Sequence, residues 1–154
     1  MRFRNLKKQA NKKNFQKKEL PNIKYASYAD RIKAFIVDLF MIYAPLLYII
    51  TYVFMDGKDD FQSSQVAPFM GVVVYGLIYS VLLTKFGQTP GKKAYEIETV
   101  DAKTYKRIGL SRAIWRYICF LFTATTLLGL LLPLYTKEKK ALHDILSGTI
   151  NRSL

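Results

Sequence analysis

Cysteine, histidine and tryptophan each occur once in the 154 residues, and acidic side chains number 11 against 24 Lys plus Arg. With Cys119 alone, no intramolecular disulfide can form, and a buried small apolar role is expected for it. One cysteine and one histidine cannot build a zinc site of the usual spacing, and no G-x-S-x-G, G-x-G-x-x-G or deaminase signature occurs. An enzyme is therefore not expected, nor a bound cofactor or metal. A cleavable signal peptide is not expected either, because a long polar segment precedes the first apolar run and no A-x-A-like site follows it.

The most telling lack is local. Residues 39–55, 61–84 and 117–136 contain no Asp, Glu, Lys or Arg, although the chain as a whole carries a net charge of +13 and is 51% hydrophobic. A soluble amphipathic helix needs a polar or charged residue on its solvent face at every turn, and runs this long leave few or none. A spanning helix needs about 20 mostly apolar residues. The expected fold is all-α: a small transmembrane helical bundle with two clear spans, near residues 32–55 and 68–86. The third apolar segment is either a full span or a broken, re-entrant one.

The charge that is present sorts by position. Residues 1–24 hold nine basic residues against Glu19 and read as a disordered cytoplasmic arm beside the first span. Such a face also attracts anionic lipids at about 1 kcal/mol per basic residue; because membrane orientation accounts for the charge, nucleic acid is not an expected partner. Asp56, Asp59 and Asp60 make the next loop acidic, as suits the opposite face. Residues 85–116 are basic again. Within them Tyr95 to Val100 alternates with period two and residues 101–104 can turn, which predicts a small cytoplasmic β-hairpin returning over Tyr105 to Ile108. Ser111 is read as a helix cap, followed by Arg112 and Arg116 four apart on one face. Pro45 is expected to disturb the first span. Gly71, Gly76 and Ser80 allow close helix contact along the second.

The third run sets a topology problem. A full span puts the C-terminus outside, yet the basic residues after it favour the inside. Thr123, Thr125, Thr126, Gly129 and Pro133 suit a broken segment that returns, letting residues near Thr149 and Ile150 add a strand to the hairpin. Two halves of about ten residues cannot both cross, which leaves the alternative open.

Asp38 is the one acid inside an apolar span. A carboxylate there costs roughly 2.5–3.5 kcal/mol on insertion scales and must find a partner inside the bundle or take up a proton. Arg31 lies two turns earlier, about 10 Å along the axis; Arg112, Arg116 and His143 are the other candidate partners. Asp38 is either a proton or cation site or half of a helix lock. Gly87-Gln88-Thr89-Pro90-Gly91-Lys92-Lys93 is not a Walker A loop, since three residues rather than four separate its first glycine from Gly91-Lys92. It reads as a tight turn with Gly91 at positive φ. His143 beside Asp144 is either a proton relay or a structural polar contact.

In combination these segments resemble the RDD family of bacterial membrane proteins, named for one arginine and two aspartates. Tyr25 to Asp38 is similar to the start of that family's first helix, Gly87 to Lys92 to its G-x-T-x-G-K turn, and Leu142-His143-Asp144 with Gly148-Thr149 to its closing L-H-D-x-x-x-G-T segment. Lys139 and Lys140 stand where the family usually has an arginine. The resemblance covers residues 25–151, leaving 1–24 as the arm and 152–154 as a tail. It implies that Arg31, Asp38 and Asp144 are the family's three residues and form a polar cluster with His143 in an inner-membrane, multi-pass protein with both termini inside. Transport by proton/monovalent cation exchange is the activity it suggests; a non-catalytic scaffold or accessory subunit is the alternative. A homo-oligomer or a membrane partner protein is expected in either case.

Overall fold

The computed structural model describes residues 23–126, 131, 134–135, 137 and 140–154. Residues 1–22 of the basic arm lie outside the described residues, as do most of those between Thr126 and Lys140, where a break in the third apolar run would fall. The chain is a helical membrane protein with a small two-stranded sheet at one end.

Helix α1 (Tyr28–Phe54, 27 residues) and α3 (Val66–Phe86, 21 residues) are long and apolar enough to cross a membrane. Only 17% and 33% of their most apolar windows are buried within the chain, which is the pattern of helices facing lipid rather than a soluble core. Phe40, Phe54 and Phe69 point outward, each more than 70% exposed. Within α1, π-helical turns occupy Leu39–Tyr43 and Ile50–Phe54. The first precedes Pro45, which has no N–H to give, and Ala44 N–H reaches back five residues to the Leu39 carbonyl. The expected disturbance at Pro45 is thus taken up as a wide turn.

A short α2 (Lys58–Ser63) joins the two spans. The small residues of α3 serve two neighbours: Gly71 lies against Leu47 and Tyr43 of α1, and Gly76 lies beneath the ring of Tyr117. Tyr117 belongs to α5 (Leu110–Thr126) and donates its hydroxyl to the Val72 carbonyl at 2.9 Å. Helix α5 begins one residue before Ser111, so Ser111 is inside the helix rather than its cap, and Ala113 N–H closes the first turn on the Gly109 carbonyl. Cys119 is buried on this helix, as expected.

After α3, Gly87 takes the left-handed conformation (φ 71°) that ends the helix, and Thr89 caps the short α4 (Pro90–Ala94). Strand β1 (Ile97–Asp101) follows. Its partner is not the segment Tyr105 to Ile108. The antiparallel pair is β1 with β2 (Thr149–Ser153), in register Ile97 to Ser153 and Asp101 to Thr149. Two local facts forbid the hairpin. Tyr105 sits at φ 57°, outside the strand region, and the Asp101 carboxylate accepts the Lys103 and Thr104 N–H groups, closing a turn instead of a ladder. Arg152 and Ser153 continue β2 beyond residue 151. The other edge is touched by the segment ahead of α1, where Tyr25 bridges Arg152 and Ser153 N–H donates to the Lys24 carbonyl at 2.8 Å.

The sheet therefore gathers the start of α1, the exit of α3 and the end of the chain at one end of the bundle. Helix α6 (Leu142–Ser147) packs there against α5 and closes on Gly148.

Candidate functional site

Asp144 stands at the third position of α6 and reaches back to the Ala141 N–H at 3.1 Å, as the acid of a capping box does. The same carboxylate meets Arg31 Nη1 at 3.0 Å and Arg116 Nη1 at 2.5 Å. Asn151 Nδ2 adds longer contacts of 3.3 and 3.4 Å. Arg116 is also hydrogen-bonded to Thr149 Oγ1, and the Thr99 hydroxyl donates to Asn151 Oδ1 at 2.8 Å. Helices α1, α5 and α6 and both strands are thus joined through one acid whose side chain is fully buried. Burial pushes the Asp144 carboxyl up, but the charges of Arg116, His143 and Arg31 and the Ala141 N–H outweigh it and hold it well below the usual carboxylate range.

Asp38 does not join this cluster. Its Oδ2 accepts the Thr89 hydroxyl at 2.5 Å and its Oδ1 accepts the Gly91 N–H at 2.7 Å, so its partners are the neutral donors of the Gly87 to Lys92 turn and none of the expected cations. The turn works because α4 begins at Pro90: the Thr89 hydroxyl accepts the Lys92 N–H as cap and donates its own proton to Asp38, while the Gly91 N–H, free in the first helical turn, faces Asp38. Gly91 is inside this helix, not at positive φ. It is required for another reason, since a methyl there would overlap the Ala34 carbonyl of α1.

Arg112 is likewise outside the cluster. It pairs with Asp101 at the surface, while Arg116, one turn on, is buried. Lys92 donates its Nζ to Tyr79 Oη at 3.2 Å and to Thr99 Oγ1 at 2.8 Å, and lies 5.2 Å from the centre of the Tyr79 ring. Burial draws the Lys92 ammonium down, with the Tyr79 hydroxyl opposing.

Arg31, Asp38, Lys92, Arg116 and His143 all line one cavity of about 150 Å³, walled otherwise by aromatic rings such as Tyr75, Tyr117 and Phe120. Arg31, Arg116 and His143 therefore share this cavity and meet at Asp144, whereas Asp38 shares the cavity with them but no bond. Tyr79, Thr99 and Asn151 escaped the sequence analysis as site residues, and Thr149 figured there only in the closing motif and as a possible strand; the signal for Asn151 was the polar-apolar-polar pattern of Thr149-Ile150-Asn151.

His143 Nε2 lies 3.5 Å from Asp144, its ring edge-on to Phe120. Burial pushes its pKa down to about 4, against the pull of Asp144. The unfolded chain, with an ordinary value near ~6.5, binds the proton more readily, so stability falls as pH drops from about 6.5 towards 4. Thermal unfolding in detergent is expected to show this decline, and His143→Gln to flatten it; equal slopes in both proteins would refute the assignment.

With this geometry in place, comparison with known proteins is direct. The RDD family matches residues 25–148. The chain belongs to the RDD family. It is also 31% identical over 134 residues to the uncharacterized protein YckC of Bacillus subtilis (strain 168), covering 82% of this chain and 83% of that one. No solved structure matches the chain. The family match contains Arg31, both aspartates and the Asp38-binding turn; β2 and its Asn151 continue beyond it.

Proposed function

We propose that this RDD-family protein exchanges protons for a small monovalent cation across the bacterial inner membrane, with Asp38 as the cation-facing carboxylate. One observation carries the reading. Of the buried acids among the described residues, Glu98 pairs with Arg152 and Asp144 with two arginines, whereas Asp38, only 2% exposed, is held by neutral donors alone and faces the cavity. Its charge is the one left for an incoming cation to neutralise. The reading is of a non-enzymatic protein, and so small a bundle suits a homo-oligomer or a membrane partner protein.

The basic arm favours a cytoplasmic N-terminus, and the pairing of Lys24 with Ser153 supports a C-terminus on the same side. Anionic lipids are the expected company of the basic face.

Asp38→Asn is the decisive variant, because an amide can keep both the Thr89 and Gly91 contacts while losing the charge. In liposomes holding purified protein, Na⁺ or K⁺ gradients should drive proton flux, and Asp38→Asn should cut it at least tenfold. Unchanged flux in Asp38→Asn rules the mechanism out. The scaffold reading is favoured by the closed Arg31–Asp144–Arg116 cluster, which has the form of a helix lock; it expects Asp38→Asn to alter stability or partner recovery and no ion gradient.

A further inference from the structure

Buried Asp38 and half-buried Lys92 carry charges of opposite sign and line the cavity, and among the described residues neither is in an ion pair. Asp38 is held by a hydroxyl and a backbone N–H. Lys92 is held by two hydroxyls, Tyr79 of α3 and Thr99 of β1, and among the described residues no carboxylate lies within ion-pair distance of its Nζ. An ammonium has three protons to donate, and these two bonds use two of them. Around it stand Arg31 and Asp38 of α1, Tyr79 of α3, Arg116 of α5, and His143 and Asp144 of α6.

These neighbours narrow the choice of a group that can release a proton. Arg31 and Arg116 keep theirs, because a guanidinium does not deprotonate in a protein. His143 is already neutral, and Asp144 is ionised and held so by its arginines. Lys92 is the cavity cation whose charged form burial disfavours.

We propose that Lys92 carries the proton that is exchanged, while Asp38 takes the cation. This deepens the exchange reading above and rests on it. A monovalent cation settles against the Asp38 carboxylate; the added positive charge lowers the affinity of Lys92 for its proton; one N–H bond breaks, its electron pair stays on Nζ, and the proton leaves to water. The net charge of the cavity is the same before and after, so exchange is one for one and electroneutral. Loss of the cation to the other side lets Lys92 take up a proton again.

The test uses the full chain in liposomes with Na⁺ or K⁺ gradients, an internal pH dye and a voltage dye. Wild type should exchange without developing a potential. Lys92→Gln should still admit the cation but release at least tenfold less protons, so that uptake becomes electrogenic and loses its pH dependence. Lys92→Arg, which keeps the charge but cannot release it, should abolish exchange. Wild-type proton flux and pH profile in either variant overturns the proposal. So does loss of both fluxes in a Lys92→Gln protein that stays monodisperse, which makes the lysine structural. Absence of cation-driven flux in wild type rejects the exchange reading itself, whereas wild-type flux that Asp38→Asn abolishes and Lys92→Gln leaves coupled rejects only the role of Lys92.

Discussion

Replacing Asp144 by Asn is expected to cost about 3–5 kcal/mol of stability, the range found when one partner of a buried ion cluster is removed. The cost comes less from the lost attraction than from what stays behind. Arg31 and Arg116 would face each other as like charges with no acid between them, and Arg116 is almost wholly inside, its side chain 2% exposed. An amide can still accept one N–H but cannot answer two guanidinium groups. The Ala141 N–H and Asn151 would compete for the same remaining oxygen, loosening α6 from α5 and with it β2. Thermal unfolding in detergent reads the effect, and removal of the surface pair by Arg112→Ala is the comparison: Arg112 is 46% exposed, and such pairs contribute about 0–1 kcal/mol. Similar losses in the two variants would show that Asp144 is no lock. The pH dependence has a definite sign. Because the folded carboxyl is held below its unfolded value, its contribution is fully present above the ordinary range near ~4 and is lost as pH falls below it. His143→Gln leaves this acid limb in place and removes only the limb between about 6.5 and 4, so the two groups can be read separately.

The lengths of the two spans were legible because burial in lipid removes charge from a whole run, a signal that averages over some twenty residues and survives local exceptions such as Asp38 and Pro45. The meeting of Arg31 and Asp144 was of another kind. They lie 113 positions apart, and no spacing rule connects them; the family resemblance named them together, and the strand pairing of Tyr25, β2 and β1 supplies the physical cause. Asp38 was found by its charge but matched to the wrong partners. A charge rule pairs an anion with a cation, whereas the first turn of a helix answers Asp38 with the neutral Gly91 N–H and the Thr89 cap hydroxyl. The clue was present in Thr89-Pro90, a capping residue followed by the residue that favours the first helical position. The hairpin failed because period-two alternation identifies a strand, not its neighbour. Thr149-Ile150-Asn151 alternates as well, and its polar residues reach the Arg116 side while Ile150 is buried, so the C-terminal strand satisfies more groups than Tyr105 to Ile108 could.

Gly91→Ala sets two effects of opposite sign against each other, and magnitude decides between them. Inside a helix, alanine is favoured over glycine by about 1 kcal/mol, so by propensity alone the variant should be more stable. The new methyl, however, would overlap the Ala34 carbonyl oxygen and stand 2.9 Å from Asp38 Cγ. One neighbour is the backbone of a spanning helix and the other is a carboxylate already fixed by two hydrogen bonds, so neither can move aside as the end of a flexible chain could. Overpacking of this kind costs about 1–3 kcal/mol and more where backbone must shift; separating α4 from α1 also breaks the Gly91 N–H bond to Asp38, adding a further ~1–3 kcal/mol for the buried acceptor. The expected result is a net loss of about 3 kcal/mol, with cation-driven proton flux falling alongside because Asp38 loses its cradle. Gly109→Ala, where the added carbon meets open space, is the matched control. A Gly91→Ala protein as stable as wild type, or more so, would mean that propensity wins and that the close approach of the Gly87 to Lys92 turn to Asp38 is not what holds α1 against the exit of α3.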